Sequence, residues 1–152
     1  MFTACWGVSK FLKYIMSIKA LLPVALPVNL LFLNDTGSDN LDIFEHPDLQ
    51  ALQIPPWPAY WHRNQWIQVI TAGGVVYKEQ VLLQVCLLDA GQQLVGPWAV
   101  MPGVINPGHV NRMRCSGMYT RQQLFTGTAP DGVGNLFVGQ RKHGVTSQLP
   151  TI

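Results

Sequence analysis

Alternation of apolar and polar side chains with a period of two runs through the first part of the chain and predicts β-strands. The apolar residues Leu22, Val24, Leu26, Leu30 and Phe32 fall at even positions, which places them on one face of an extended strand. Pro27 lies inside this pattern, and proline has no N–H to donate to a strand ladder. We therefore predict two short strands that bend near Pro27.

A β-hairpin is predicted in the middle of the chain. Residues 66–71 and 75–77 are rich in β-branched and aromatic side chains, and two glycines stand between them. Glycine supplies the positive φ that a tight hairpin turn requires. By contrast, residues 41–54 and the proline-rich residues 55–58 leave the alternating pattern and are predicted to form a loop.

A nearly continuous apolar run, residues 81–88, predicts a central strand that is buried on both faces. Asp89, Ala90 and Gly91 follow it as a turn, so a second strand is expected to pair back onto it. Near the end of the chain, residues 124–126 and 136–138 bracket a stretch rich in glycine and predict a further hairpin.

Composition agrees with a single β-rich domain. The chain has 152 residues, of which 48% are hydrophobic and only 12% charged, and it contains 14 glycines and 11 prolines. These values favour one ordered domain of many short elements joined by turns. The net charge of +2 is too small to indicate a nucleic-acid partner.

The cysteines and histidines do not indicate a metal site or a disulfide framework. Cys5, Cys86 and Cys115 lie far apart and show no Cys-x-x-Cys spacing. The four histidines lack the spacings typical of metal ligands. We therefore expect an intracellular, cytoplasmic protein that needs no metal and no cofactor.

Residues 1–19 are treated as an N-terminal extension, because their pattern assigns no element. Three lysines here precede the apolar residues 20–33, an order that imitates a secretory signal or a membrane anchor. The apolar run is shorter than the ~20 residues that a membrane-spanning helix needs, and it contains two prolines. A membrane is therefore not the expected partner, and a membrane-anchored small domain stays as an alternative.

The candidate chemistry lies in residues 34–41, N-D-T-G-S-D-N-L, directly after the strand predicted to end at Leu33. The strand delivers the Asp35 carboxylate to a loop, and Gly37 lets two backbones approach each other. Two carboxylates that share one proton can activate a water and protonate a peptide carbonyl. The alternative is that Asp35 only accepts hydrogen bonds within its own turn.

D-T-G-S-D-N-L resembles the D-T-G-S-x-N-L motif of the aspartic proteases, and the single-domain, retropepsin-like class in particular. The resemblance implies an all-β, retropepsin-like closed acid-protease barrel over residues 20–152. It implies that Asp35 is the catalytic carboxylate, that Thr36 braces the paired loops and that Gly37 permits the close turn. Ser38 would form a hydrogen bond near the carboxylate.

Further features follow the family's order from about residue 20 to residue 110. A hairpin with glycines at its tip stands where the family has a flap over the substrate cleft. The flap residues are Thr71, Ala72, Gly73 and Gly74. Residues 103–105 resemble the hydrophobic segment that threads behind the active-site loop, and Ile43 and Phe44 are expected to line the cleft together with the flap.

The chain carries one such motif, so the second carboxylate is expected from another copy. Asp89 is too close to Asp35 in sequence for a second lobe and is predicted to be a turn residue. The sequence thus predicts a homodimeric aspartic endopeptidase, with paired Asp35 carboxylates on the two-fold axis and a peptide or protein as its substrate. The alternative is a catalytically inactive dimeric domain that binds peptides, because Asn34 is polar where the family usually has an apolar residue.

Overall fold

The computed structural model describes residues 13–34, 38–108, 112–128 and 136–149, and these residues form an all-β fold with two short helices. The strands are β1 (Lys13–Ala20), β2 (Val28–Leu33), β3 (Leu41–Phe44), β4 (Gln65–Thr71), β5 (Gly74–Leu88), β6 (Leu94–Asn106), β7 (Arg114–Cys115), β8 (Phe125–Thr128) and β9 (Leu136–Gly139). The helices are α1 (Tyr119–Gln123) and α2 (Lys142–Thr146), and residues 45–49 form a short π-helical turn that is kinked at His46, whose backbone is extended. The predicted all-β class is confirmed.

Seven of these strands form one sheet in the order β3-β6-β5-β1-β2-β7, and β4 is added to β5. Most neighbours are antiparallel, whereas β3 runs parallel to β6 and β2 runs parallel to β7. A bridge between Leu41 and Ser116 joins β3 to the residue after β7. The two ends of the sheet therefore meet, and the sheet curls into a nearly closed barrel. β8 and β9 pair separately.

The core is built around the second half of β5. Val81, Leu83 and Val85 are fully buried, and so is Cys86 on the opposite face. This half of the strand lies between β1 and β6, which explains why its sequence is apolar at nearly every position. The predicted central strand is confirmed. The predicted turn residue Asp89 is confirmed too, because its Oδ1 accepts a hydrogen bond from the Gln93 amide at 2.8 Å between β5 and β6.

β1 is an interior strand of the sheet, and it begins at Lys13 rather than at the boundary placed at residue 20. It pairs with β2 on one side and with β5 on the other. Tyr14, Met16 and Ile18 are buried at alternate positions, the period of two that predicts a strand. Sequence analysis missed this strand because its two lysines were grouped with the charged start of a signal-like segment.

Residues 21–27 form a loop between β1 and β2, so the prediction of a strand before Pro27 was wrong. Leu22, Val24 and Leu26 are 43%, 89% and 77% exposed. The apolar alternation alone favoured a strand here, but Pro23 and Pro27 remove two ladder donors from a segment that must reverse the chain. The second predicted strand, which follows Pro27, is confirmed as β2.

Residues 41–54 are not all loop, which corrects a second prediction. The segment begins with β3, which is followed by the π-helical turn. Asp48 stabilises this junction, because its Oδ2 accepts the Phe44 amide hydrogen at 3.0 Å. Ile43 and Phe44 are 0% and 2% exposed. Both side chains are therefore buried in this chain, whereas sequence analysis expected them to line an open cleft.

The C-terminal part confirms the last predicted hairpin. β8 and β9 pair antiparallel, with Phe125 opposite Gly139 and Thr126 opposite Val138, and α2 packs against both strands. The residues between these strands lie outside the described ranges. In the part of the chain that the structure describes, neither helix has the length to cross a membrane.

Three buried tyrosines make the fold sensitive to alkali. Tyr14, Tyr60 and Tyr119 are at most 1% exposed, and burial raises the pKa of each hydroxyl. In the unfolded chain a tyrosine loses its proton near pH 10. Above that pH the unfolded state therefore binds fewer protons than the folded state, and stability falls as pH rises.

We expect the free energy of unfolding to decline above about pH 10. Urea titrations between pH 8 and pH 11 measure this decline. The matched variant is Tyr119→Phe, which loses the hydrogen bond from the Tyr119 hydroxyl to the Pro97 carbonyl (2.6 Å) but has one buried phenol fewer. It should start less stable and decline less steeply. A pH-independent stability across this range would contradict the prediction.

Candidate functional site

The loop that joins β2 to β3, residues 34–40, is the candidate site, and we call it the motif loop. Asp35, Thr36 and Gly37 lie outside the described residues, so their predicted roles stay predictions. The residues on either side are described: Asn34 follows the end of β2, and Ser38 precedes the start of β3. The structure therefore describes the site through the segments that contact these two ends, which together we call the frame of the site.

Residues 114–117 lie between the two ends of the motif loop, and we call them the clamp segment. Their first two residues form β7 beside the end of β2, with Leu33 opposite Cys115. The Ser116 amide then donates to the Leu33 carbonyl at 3.1 Å, and Ser116 also bridges to Leu41. The clamp segment thus touches the last residue before the motif loop and the first residue after it.

Sequence analysis had given this position to residues 103–105. Those residues belong to β6 and pair in parallel with residues 41–43 of β3. They support the strand that follows the motif loop, but it is the clamp segment that contacts both sides. The clamp segment was missed because Arg-Cys-Ser-Gly is not an apolar run. Its backbone position, rather than its side chains, gives it this role.

Gly117 ends the clamp segment and packs against the backbone at the end of the motif loop. Its φ is +64°, and an added Cβ would lie 2.8 Å from the Leu41 nitrogen and 3.0 Å from the Asn40 carbonyl carbon. A side chain here meets both a left-handed backbone and rigid neighbouring atoms. Glycine is therefore required for the clamp segment to approach the motif loop.

We expect Gly117→Ala to destabilise the protein by about 1–2 kcal/mol from the positive φ alone, and by more from the contact with Leu41. Denaturant unfolding of the variant measures the loss. Gly91→Ala is the matched control: Gly91 lies in the exposed turn between β5 and β6, and a Cβ there would meet only the Asp89 side chain at 3.3 Å. Equal stability of the two variants would contradict this role of Gly117.

The C-terminal end of the motif loop is tied to α1. Arg121 donates to the Ser38 carbonyl at 2.8 Å and lies 3.3 Å from Asp39 Oδ1. The Ser38 hydroxyl donates to the Asn40 carbonyl at 2.8 Å, which closes a tight turn within the loop. The serine predicted to sit near the carboxylate is therefore engaged with its own backbone.

The hydroxyls of Tyr14 and Thr120 lie near the N-terminal end of the motif loop. The Tyr14 hydroxyl donates to Asn34 Oδ1 at 3.5 Å and lies 3.4 Å from Thr120 Oγ1. Burial raises the pKa of Tyr14, so the phenol keeps its proton as a donor. The polar side chain of Asn34 thus has a hydrogen-bond partner in Tyr14, which lies on β1.

Two carboxylates that sequence analysis did not single out fix the strand after the motif loop. Asp42 accepts the Cys115 amide hydrogen at 3.0 Å and the Asn106 side-chain amide at 2.9 Å. Asp48, 1% exposed, forms a two-pronged ion pair with Arg114, with distances of 2.7 and 2.6 Å. Both carboxylates bind the clamp segment. For Asp42 the signal in the sequence was a charge between Leu41 and Ile43.

The predicted hairpin is confirmed, with a two-residue turn at Ala72 and Gly73, and its role as a flap stays a prediction. Thr71 pairs with Gly74 across the turn, and the Thr71 hydroxyl donates to the Gly74 carbonyl at 2.8 Å. Gly74 has φ +112°, and no atom lies within 4 Å of a Cβ built there. The hairpin is joined to the frame of the site, because Lys78 donates to Asn106, which in turn binds Asp42.

Within the described ranges, no group of three or more His, Cys, Asp or Glu side chains is placed to hold a metal ion. The motif loop itself contributes the carboxylates of Asp35 and Asp39 and the hydroxyls of Thr36 and Ser38.

Comparisons with known proteins leave the site to be interpreted from its own residues. No family model matches the chain, and no curated protein matches it in sequence.

Proposed function

We propose that the chain is a retropepsin-like aspartic endopeptidase, in which a homodimer brings two Asp35 carboxylates together to activate a water. The proposal starts from D-T-G-S-D-N-L at residues 35–41 and from the resemblance of this motif to the aspartic proteases. That resemblance supplies the roles of Asp35, Thr36 and Gly37. The surrounding barrel is compatible with it, since the motif loop joins two strands of one curled sheet.

The main support for the proposal is that the clamp segment contacts both ends of the motif loop. Ser116 binds the Leu33 carbonyl and bridges to Leu41, and Arg121 holds Ser38. Catalytic carboxylates must be presented in a fixed direction, because small displacements of a reacting group cost large factors in rate. A turn that merely reversed the chain would not need contacts to two distant segments.

A second copy is needed because one chain supplies a single motif. The other candidate, Asp89, fixes the turn between β5 and β6 through Gln93. Two Asp35 side chains related by a two-fold axis share one proton, since like charges at close range cannot both ionise. The pair then holds a single proton, so it offers one protonated and one ionised carboxyl, an acid and a base, at the same pH.

Peptide hydrolysis follows from this pairing. The ionised carboxylate takes a proton from a water, whose oxygen forms a bond to the peptide carbonyl carbon, while the protonated carboxylic acid gives its proton to the carbonyl oxygen. The tetrahedral diol then returns a proton from one hydroxyl to a carboxylate, the amide nitrogen gains a proton, and the C–N bond breaks. The products are a carboxylic acid and an amine, and the pair again holds one proton.

The hairpin of β4 and β5 has the features of a flap. Its tip at residues 71–74 is exposed and holds glycines, so a substrate backbone can approach it closely. Closing such a hairpin excludes water and lets peptide groups pair with an extended substrate. The Lys78–Asn106–Asp42 contacts tie the base of the hairpin to the strand that follows the motif loop.

The second candidate function is a dimeric peptide-binding domain without turnover. Asn34 favours it, because this polar residue precedes Asp35 and is engaged by Tyr14 at 3.5 Å. A site that has lost selection for hydrolysis can keep its barrel and hairpin. Binding of peptides without cleavage would be the signature of this function.

Cleavage of an unstructured protein by the purified chain tests the proposal, measured from about pH 3 to pH 7, where a carboxylate pair titrates. A statine-containing peptide, which mimics the tetrahedral diol, should inhibit the cleavage. Sedimentation in the same buffers gives the oligomeric state. Cleavage that statine does not block would contradict the aspartic mechanism, and a folded dimer that binds statine without cleaving would support the second candidate.

A further inference from the structure

Within the described ranges, β4 lies at an edge of the sheet. Among the described residues its pairing partner is β5 alone. Because Thr71 pairs with Gly74 around a two-residue turn, every second residue from Thr71 backwards exchanges its peptide hydrogen bonds with β5. The residues between them direct their N–H and C=O groups away from β5. These outward residues are Trp66, Gln68 and Ile70.

This edge lacks the features that keep edge strands apart. Natural edges carry charges, prolines or bulges that block pairing with another chain. β4 has the sequence QWIQVIT, with no charge and no proline, and its register with β5 is continuous. The charges of the hairpin belong to β5, where Lys78 binds Asn106 and Glu79 binds Arg63 at 2.6 Å.

The outer face of β4 is also apolar. Trp66 and Ile70 are 69% and 84% exposed, whereas Ile67 and Val69 on the other face are half-buried. Large apolar side chains beside peptide groups that no other described strand pairs with form a surface that gains from association by both hydrogen bonding and burial.

The sequence of β4 is complementary to itself. The residues at equal distances on either side of Gln68 are both apolar. Ile67 and Val69 lie one residue away from it, and Trp66 and Ile70 lie two residues away. In an antiparallel pair with a two-fold axis, residue i meets residue j while j meets i. Centring the axis on Gln68 places Trp66 opposite the partner's Ile70, and it satisfies all the outward peptide groups of the edge at once.

We propose that β4 is an interface between two copies of this chain, which pair edge to edge in antiparallel fashion with Gln68 opposite the partner's Gln68. The resulting sheet runs β5-β4-β4-β5 across the two copies. This surface is distinct from the motif loop. If the Asp35 dimer also forms, the two interfaces together join site dimers into a larger assembly.

Charge substitution at the centre of the interface tests the proposal. Gln68→Lys places like charges directly opposite each other, and the same holds for Gln68→Glu. Each variant alone should lose one doubling of mass in sedimentation velocity over a range of concentrations, and a mixture of the two should regain it. The matched control is Tyr77→Lys, on the β5 residue paired with Gln68, which adds the same charge beyond the interface and should keep the doubling.

The test of the β4 interface gives an answer whether or not the Asp35 dimer forms. If the Asp35 dimer forms, the wild type goes from dimer to a larger species and Gln68→Lys stays a dimer. If it does not form, the wild type goes from monomer to dimer and Gln68→Lys stays a monomer. Either loss supports the β4 interface. Equal masses for the wild type and Gln68→Lys, or a mixture with Gln68→Glu that fails to recover the doubling, would overturn it.

A disulfide gives an independent test of the register. A hydrogen-bonded antiparallel pair has Cα atoms about 5.5 Å apart, within the range of a disulfide. Gln68→Cys should therefore form a covalent dimer under mild oxidation. Ile70→Cys should not, because its counterpart is the partner's Trp66. Equal cross-linking of the two variants, or none with Gln68→Cys, would overturn the register.

Discussion

Replacing Asp35 by asparagine is expected to abolish peptide hydrolysis while the fold is retained. Asparagine has nearly the same shape as aspartate, but its side chain cannot take a proton from the attacking water. Loss of a positioned acid or base typically lowers the rate by about 10²–10⁴-fold. The measurement is kcat/KM for cleavage of an unstructured protein between about pH 3 and pH 7, with circular dichroism to establish that the variant is folded.

The matched control for this substitution is Asp89→Asn. Asp89 accepts the Gln93 amide hydrogen in an exposed turn, and asparagine can accept the same bond. We expect this variant to cleave at the wild-type rate. Activity that survives Asp35→Asn but falls in Asp89→Asn would place the chemistry elsewhere and contradict the proposed function.

Mixing wild type with Asp35→Asn tests whether the carboxylates are paired across two chains. In an equal mixture with random exchange of subunits, about a quarter of the dimers have both wild-type copies. If both carboxylates are required, activity should fall to about that fraction of the unmixed value at the same total chain concentration. A fall to one half would mean that each chain acts alone.

The largest effect on stability is expected from Arg114→Ala. Arg114 binds both oxygens of Asp48, at 2.7 and 2.6 Å, and Asp48 is 1% exposed. Removing the arginine leaves a buried carboxylate whose remaining donor is the Phe44 amide. Breaking a buried pair by removing one partner costs about 3–5 kcal/mol, a large part of the stability of a domain.

Urea unfolding followed by tryptophan fluorescence measures this loss as a shift of the transition midpoint. Arg121→Ala is the matched control, because Arg121 and Asp39 form an ion pair whose side chains are 39% and 74% exposed. Exposed pairs contribute about 1 kcal/mol or less. Similar midpoints for Arg114→Ala and Arg121→Ala would show that the buried pair does not hold the strand after the motif loop.

The strands that sequence analysis predicted correctly are those in which pattern and burial coincide. Residues 81–88 are apolar at nearly every position because β1 and β6 flank them. The hairpin before them was predictable because turn chemistry and β-branched side chains point to the same structure. β1 was missed because its lysines resemble the charged start of a signal segment. Residues 21–27 were misassigned because apolar alternation does not state whether a segment has neighbouring strands.

The frame of the site was less predictable than the motif. D-T-G-S stands out in one short window of the sequence, whereas the clamp segment has no recognisable motif and contacts the ends of the motif loop through the Ser116 amide and the space left by Gly117. Asp42 and Asp48 gain their partners only when β7 arrives beside them. Such contacts depend on tertiary structure, and a single sequence does not specify them locally.

The clamp segment also determines when the site can be completed as the chain folds. The contact from Cys115 to Asp42 spans 73 residues, and the contact from Arg121 to Ser38 spans 83. Closing loops of this length is entropically costly and slow, so such contacts form late. The motif loop is synthesised before the clamp segment, so the contacts of Ser116 and Arg121 with its two ends form only after those residues have emerged. A nascent chain thus carries the motif without the frame that orients it.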